Sequence, residues 1–225
     1  MRRALAFVTL GLLAALPCSA VAGSLDLRLG AFFPREKSSL FADDRELYTV
    51  EKGDWRGFSG GVEYSARVAR NLELGIHVDG YERSLHSAYR DFTSSRGREI
   101  RQTLKLEIVP VGLTLRIVPG SPRATFSPYL AFGADLFYWR YEEYGDFIDF
   151  EDPTLPFYED SFFAEGVTGG GHVAGGLRVR LTHDVSLSGE GRYQAAPKVA
   201  MDDDFRGNTL DLNGWSATLG VHVKF

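Results

Sequence analysis

Apolar and polar residues alternate along most of this chain with a period of two, which is typical of β-strands that have one polar and one apolar face. The last strand shows the pattern most clearly, with apolar side chains at every second position: Trp215, Ala217, Leu219, Val221, Val223 and Phe225. The alternation predicts eight strands, over residues 25–33, 55–68, 72–83, 100–118, 127–141, 165–181, 185–194 and 212–225. No segment between them shows a sustained helical period.

The fourth strand changes phase near its middle. Its second half has apolar residues at odd positions, from Val109 to Ile117, whereas its first half has them at even positions, from Leu104 to Ile108. One extra residue would restore a single phase, and proline inside a strand is tolerated at a bulge. The sequence therefore predicts a β-bulge near Val109 and Pro110.

The connections between the predicted strands alternate in length. Residues 69–71, 118–125 and 182–184 form short turns, whereas residues 34–54, 84–99, 140–164 and 195–211 are long. Outer-membrane barrels have short periplasmic turns and longer external loops. The predicted fold is therefore all-β: an eight-stranded antiparallel up-and-down transmembrane β-barrel. A soluble β-sandwich or lipocalin-like barrel is the alternative, and neither would sort its loops in this way.

The first 22 residues have the three parts of a secretory signal peptide. Arg2 and Arg3 form a basic head, residues 4–16 are apolar or small apart from one threonine, and Ala22 ends a small-residue cleavage motif. We predict that residues 1–22 are cleaved off and that residues 23–225 form one outer-membrane barrel domain, exported through the inner membrane. Cys18, the only cysteine, follows a proline and fits a lipoprotein acylation site poorly.

Charge and hydropathy exclude other classes. Without the two arginines of the signal, 23 basic and 30 acidic residues remain, a net charge of −7 that disfavours nucleic-acid binding. No apolar stretch of 18 residues follows the signal, so no transmembrane helix is predicted. An exported chain without such a helix can span a membrane only as a closed barrel.

Three segments resemble the small outer-membrane β-barrel proteins of Gram-negative bacteria, and most of all the OmpW-like and OmpA-barrel-like families. These segments are residues 127–135, 189–193 and 214–225. The resemblance implies that the barrel-assembly machinery reads the last strand through its terminal Phe225. It further implies a monomer among outer-membrane lipids and lipopolysaccharide, with no cofactor, and the OmpW-like families suggest a passive conduit for small hydrophobic molecules.

The face opposite the apolar stripe is charged. It carries six carboxylates, seven firm cations and three histidines: Asp26, Arg28, Glu63, Arg67, Glu73, His77, Asp79, Arg116, Asp135, His172, Arg178, Arg180, Glu190, Arg192, His222 and Lys224. Eight strands enclose only enough space for side chains, so opposite charges should pair there. We expect a mostly plugged, salt-bridged lumen and a structural or surface-interaction role through the external loops. Passage of small molecules is the alternative.

The external loops hold two further patterns. The third loop combines an aromatic group (Phe147, Ile148, Phe150, Phe157, Tyr158, Phe162, Phe163) with an acidic group (Glu142, Glu143, Asp146, Asp149, Glu151, Asp152, Glu159, Asp160). The aromatic side chains could dock the loop or line an entrance, and the acidic ones, like residues 202–204, could be solvated or gather divalent cations. Trp55, Trp139 and Trp215 all fall near the external rim, which suggests an aromatic girdle.

Enzymatic activity on lipid A or phospholipid is the least favoured interpretation. Only His86 among the five histidines lies on the external side, two residues from Ser84, and a shared strand face is the whole case for a nucleophile and base. We therefore predict no enzyme, no catalytic residue and no metal ligand, and no ligand-binding residue can be named.

Overall fold

Eight strands close into one antiparallel barrel in the computed structural model, which describes residues 23–93, 97–120, 124–149 and 156–225 except for the side chains of Phe157 and Asp203. The predicted signal peptide lies outside the described residues. The barrel strands are β1 (Gly23–Pro34), β2 (Gly57–Ala69), β3 (Leu72–Thr93), β4 (Glu99–Ile117), β5 (Phe126–Ile148), β6 (Phe157–Arg180), β7 (Val185–Ala195) and β10 (Gly214–Lys224).

The barrel closes where the first strand meets the last. β1 pairs antiparallel with β10, and two backbone hydrogen bonds join Gly23 and Phe225 at 3.0 and 3.1 Å. The other strands pair with their neighbours in chain order, which confirms the predicted up-and-down topology. Complete pairing leaves no open sheet edge, as a membrane-spanning sheet requires.

The predicted bulge at Val109 and Pro110 is wrong. β4 keeps one register with β5 along their whole paired length, and it keeps one register with β3 on both sides of Pro110. The register shifts in the described barrel lie elsewhere, near the ends of β2 and β3: between Arg67 and Ala69, and between Ala88 and Thr93.

The phase change in β4 reflects a change of environment. Even-numbered side chains point into the barrel along the whole strand, where Leu104 is fully buried, while odd-numbered ones point outward, where Leu113 is 57% exposed. Towards the external end, beyond Val109, the outward positions become polar, at Glu107 and Lys105, and the inward ones become apolar. Alternation is therefore continuous, but the apolar side moves from the lipid-facing surface to the interior.

The predicted long loops contain regular structure. β3 continues to Thr93, and β5 and β6 form a hairpin that extends far beyond the apolar belt. The first loop holds a helix, α1 (Ser39–Leu47), which the sequence pattern did not predict. The last holds β8 (Val199–Ala200), a short 3-10 turn (Asp203–Phe205) and β9 (Thr209–Leu210). No helix of the described residues is long and apolar enough to cross a membrane.

The strand extensions and α1 enclose an apolar core outside the lipid-facing belt. Phe41 of α1 packs against Trp55, and Trp55 lies 6.0 Å from the ring of Tyr141. Trp55 and Trp139 are both buried in this core, whereas Trp215 faces outward beside Tyr193. The predicted girdle of three tryptophans is therefore wrong for two of them.

Candidate functional site: the charged barrel interior

The inward face of the lipid-embedded strands carries an ion-pair network, as the alternation predicted. Arg28 donates to Glu63 at 3.0 Å and to Asp79 at 2.9 Å, and lies 3.5 Å from Glu190. Arg116 lies 2.8 Å from the other oxygen of Glu63. These arginines and Glu63 are at most 4% exposed, so their charges are removed from water and are matched by each other.

A second part of the network lies nearer the periplasmic end. Arg178 donates to Glu73 at 2.8 Å and to Asp26 at 3.3 Å, and His222 contacts the same oxygen of Asp26 at 2.9 Å. Arg67 reaches Glu73 from the more exposed mouth at 3.4 Å. Each carboxylate here has an arginine within ion-pair distance.

The third part is a cluster of His77, Thr114, Asp135 and His172 on β3, β4, β5 and β6. His172 Nδ1 lies 2.8 Å from Asp135 Oδ2, and His77 Nε2 lies 3.3 Å from Asp135 Oδ1. The remaining ring nitrogens, His77 Nδ1 and His172 Nε2, lie 3.1 and 3.3 Å from the hydroxyl of Thr114. The ring nitrogens and carboxylate oxygen that could bind an ion lie within 4.8 Å of one another.

Strand register brings this cluster together. His77 is paired with Gly112, and Gly112 with Asp135; in the next row, Thr114 is paired with Gly133, and Gly133 with His172. A Cβ at Gly112 would overlap the Asp135 carboxylate, and one at Gly133 would overlap the His172 ring. The two glycines therefore provide the space that the larger groups occupy.

Tyr129 fills the space beside the arginines. Its hydroxyl donates to Glu190 at 2.9 Å, and the Arg116 and Arg178 guanidinium groups lie 4.9 and 5.2 Å from its ring centroid. Gly176 on the paired strand makes room for the ring. The arginines thus have cation–π contacts in addition to carboxylates.

Two small cavities flank the network. The periplasmic one, about 30 Å³, is lined by basic groups that include Arg67, Arg180 and Lys224. The external one, about 40 Å³, lies where the charged interior meets the apolar core. Arg116 and Glu63 line neither cavity, and they lie between groups that line one or the other.

The external core contains its own polar cluster. The hydroxyl of Tyr141 lies 3.0 Å from Asp44 of α1 and 2.8 Å from Glu143, and Tyr48 donates to Glu143 at 3.0 Å. Burial, and then the nearby charge of Glu143, raise the pKa of Asp44. Burial also raises the pKa of Tyr48. The contact of Asp44 with Tyr141 thus joins α1 to the barrel.

The residues singled out in the third external segment divide between two environments. Glu143 and Phe147 are buried, and Phe147 packs edge-to-face on Phe162 at 4.7 Å, whereas Tyr158 and Phe163 are exposed. Asp146 and Glu159 lie opposite each other in the β5–β6 ladder. Phe150, Glu151 and Asp152 lie outside the described residues.

Ser84 and His86, the one pair considered for a nucleophile and base, lie on the β3 extension. Ser84 and His86 both point outward there, and His86 is exposed. The two residues share a strand face, as the alternation predicted.

A closed eight-stranded antiparallel barrel with an apolar outer belt and a polar interior is the architecture of integral outer-membrane β-barrel proteins, and this chain has that fold. No protein-family model matches the chain, and neither does any curated protein.

Solved structures show the similarity in fold. Neisserial surface protein A is 16% identical, over 92% of this chain and 98% of that one, with a TM-score of 0.51. A major outer membrane protein from Thermus thermophilus is 12% identical, over 92% and 100%, with a TM-score of 0.52. The Escherichia coli outer membrane protein W also matches, at 15% identity over 92% and 100%, with a TM-score of 0.39.

Proposed function

We propose that this protein is a non-enzymatic outer-membrane barrel whose lumen is closed to ions and solutes and whose folded external portion serves a structural or surface-interaction role. The contact between Arg116 and Glu63 carries the proposal. The two groups lie 2.8 Å apart, fully buried between the two cavities, and side chains of several other strands pair with them.

The cavity sizes support a closed lumen. A cavity of about 40 Å³ holds about three water molecules, and one of about 30 Å³ holds about two. Widening either into a channel would separate buried ion pairs, which is strongly unfavourable when one partner is left behind. An apolar solute would have to displace the same charges.

The external core supports the same proposal from the other side. Leu104, Leu106 and Ile108 of β4 fill the barrel above the charged network, and Leu40 and Phe41 of α1 belong to the same buried core. A solute entering from outside would first have to open this packed core. The folded external portion is then a rigid platform rather than a set of loose loops.

Planar-bilayer recording of the refolded protein tests the closed lumen. We expect no single-channel steps from the wild type, and defined steps only when Arg116→Ala/Glu63→Ala in the network is combined with Leu104→Ala in the core above it, because both barriers must open. Arg101→Ala, at an exposed pair with Glu99, is the matched control and should stay silent. Steps from the wild type would overturn the proposal and favour the conduit for small molecules.

The absence of enzymatic activity is tested separately at His86. We expect identical lipid A and phospholipid mass profiles in cells that carry the wild type, the His86→Ala variant or no protein. A mass change that needs both the protein and His86 would contradict the proposal.

Export and assembly complete the proposal. Sequencing the mature protein should find Gly23 at its N-terminus if the signal peptide is cleaved after Ala22.

Phe225 is 70% exposed at the end of the last strand. Its replacement by alanine should lower the amount of folded barrel in the outer membrane if the assembly machinery reads it, whereas unchanged assembly would remove that role.

A further inference from the structure

The His77–Thr114–Asp135–His172 cluster differs from the rest of the interior in how its carboxylate is neutralised. Asp26, Glu63, Glu73, Asp79 and Glu190 each have at least one arginine within 4.0 Å. Asp135 has no arginine or lysine within that distance among the described residues, and its partners are His77 and His172. A carboxylate buried in the barrel needs a positive charge beside it.

His77 points a nitrogen that lacks a hydrogen-bond partner at this carboxylate. Its Nε2 is buried and lies 3.3 Å from Asp135 Oδ1 and 3.6 Å from Asp79 Oδ2, within ion-pair distance of both but outside hydrogen-bond geometry. Without a proton or a metal ion on Nε2, its lone pair would face two carboxylates.

A bound cation resolves this arrangement. With a metal ion between His77 Nε2, His172 Nδ1 and Asp135, both histidines carry a proton on the opposite nitrogen. Both of these nitrogens lie within hydrogen-bond distance of the Thr114 hydroxyl oxygen, which has two lone pairs to accept them. Ligating histidines usually donate their second N–H to such an acceptor, which fixes the ring orientation.

We propose that His77, Asp135 and His172 bind one divalent transition-metal ion, Zn²⁺, inside the barrel. Two imidazole nitrogens and one carboxylate form a donor set that suits Zn²⁺. Tetrahedral zinc bonds of about 2.0–2.1 Å place neighbouring ligand atoms about 3.3 Å apart. His77 Nε2 lies 3.3 Å from Asp135 Oδ1 and His172 Nδ1 lies 3.0 Å from the same oxygen, so small shifts bring the three ligands into range. Asp79 or a water completes the coordination, and the bound charge neutralises Asp135.

Cobalt replacement tests the site independently of lumen conductance. The full mature chain is unfolded in urea that contains EDTA to remove bound metal, and the EDTA is then removed. The chain is refolded in detergent with Co²⁺ and separated from free metal. Folding is checked by circular dichroism. We expect about one Co²⁺ per chain, visible ligand-field absorption typical of tetrahedral Co²⁺, and competition by one equivalent of Zn²⁺.

Variants identify the ligands. His77→Gln and His172→Gln should each abolish the absorption, and Thr114→Val should weaken metal binding by about 10- to 100-fold, since it removes only the acceptor behind the ligands. His222→Gln changes an equally buried histidine paired with Asp26 and should bind metal like the wild type. Folded wild type that retains no metal, or a folded His172→Gln variant that binds as tightly as the wild type, would overturn the proposal.

Discussion

The barrel has two interiors, and they are opposite in character. At the level of the lipid-facing belt, the interior is built from ion pairs around Arg28, Glu63 and Arg116, and the outer surface is apolar. Beyond that belt, the interior is an apolar core around Leu104 and Trp55, and the outer surface is polar. Side chains alternate between the inner and outer face in the same way in both regions. Which face is apolar depends on whether the outer face meets lipid or water.

The largest effect should come from breaking the charged interior. Arg116→Ala leaves Glu63 buried without one of its partners, and removing one member of a buried ion pair destabilises a protein by about 3–5 kcal/mol. Arg101→Ala, at a surface pair, should change the free energy of unfolding by less than about 1 kcal/mol. Urea unfolding in lipid vesicles measures both. Equal losses would mean that the interior pairs are no more important than surface pairs.

The apolar core can be tested on β4. Leu104→Ala should lower the free energy of unfolding by about 2–5 kcal/mol, because it removes fully buried methyl groups and leaves a cavity. Leu113→Ala, which faces lipid, should lower it by only about 0.5 kcal/mol. If the two variants lose the same stability, the region around Leu104 is not a packed core.

How far sequence reasoning reached can be seen on the same strand. Alternation alone correctly placed the odd-numbered residues from Val109 to Ile117 on the outer face and Arg116 inside. It could not distinguish a register slip from a change of surroundings, because both shift the apolar phase by one residue. The predicted bulge was wrong for that reason. The loop 84–99 was predicted too long because polar outward residues such as Ser84 and His86 resemble loop residues.

Other features depend on contacts that no local pattern reports. The helix α1 has nine residues and buries only Leu40, Phe41 and Asp44, so it is too short to form by propensity and relies on the barrel beneath it. The inward positions of His77 and His172 followed from alternation, but their meeting at Asp135 depends on the register of three strand pairs.

A smaller, pH-dependent effect should be confined to the external portion. The raised pKa of Asp44 means that folding favours its protonated form. The stability that Asp44 contributes is complete below its unfolded pKa of about 3.9, and it is lost as the pH rises through the higher folded value. Hydrogen exchange at α1 should therefore speed up with pH beyond its intrinsic rate.

Asp44→Asn is the matched variant for that effect. It keeps the shape and removes the titration of Asp44, so the protection of α1 should depend less on pH than in the wild type, while exchange at the lipid level stays as in the wild type. A wild-type α1 whose protection is constant with pH would contradict the buried acid.

The most direct test of the two-interior account is maleimide labelling along the outer face of β4. In a Cys18→Ser background, single replacements Lys105→Cys and Leu113→Cys are made and the proteins are refolded into lipid vesicles. The account predicts that a water-soluble maleimide labels position 105 rapidly and labels position 113 only after unfolding, because only the second faces the acyl chains. Equal labelling at both positions in the folded protein would contradict it.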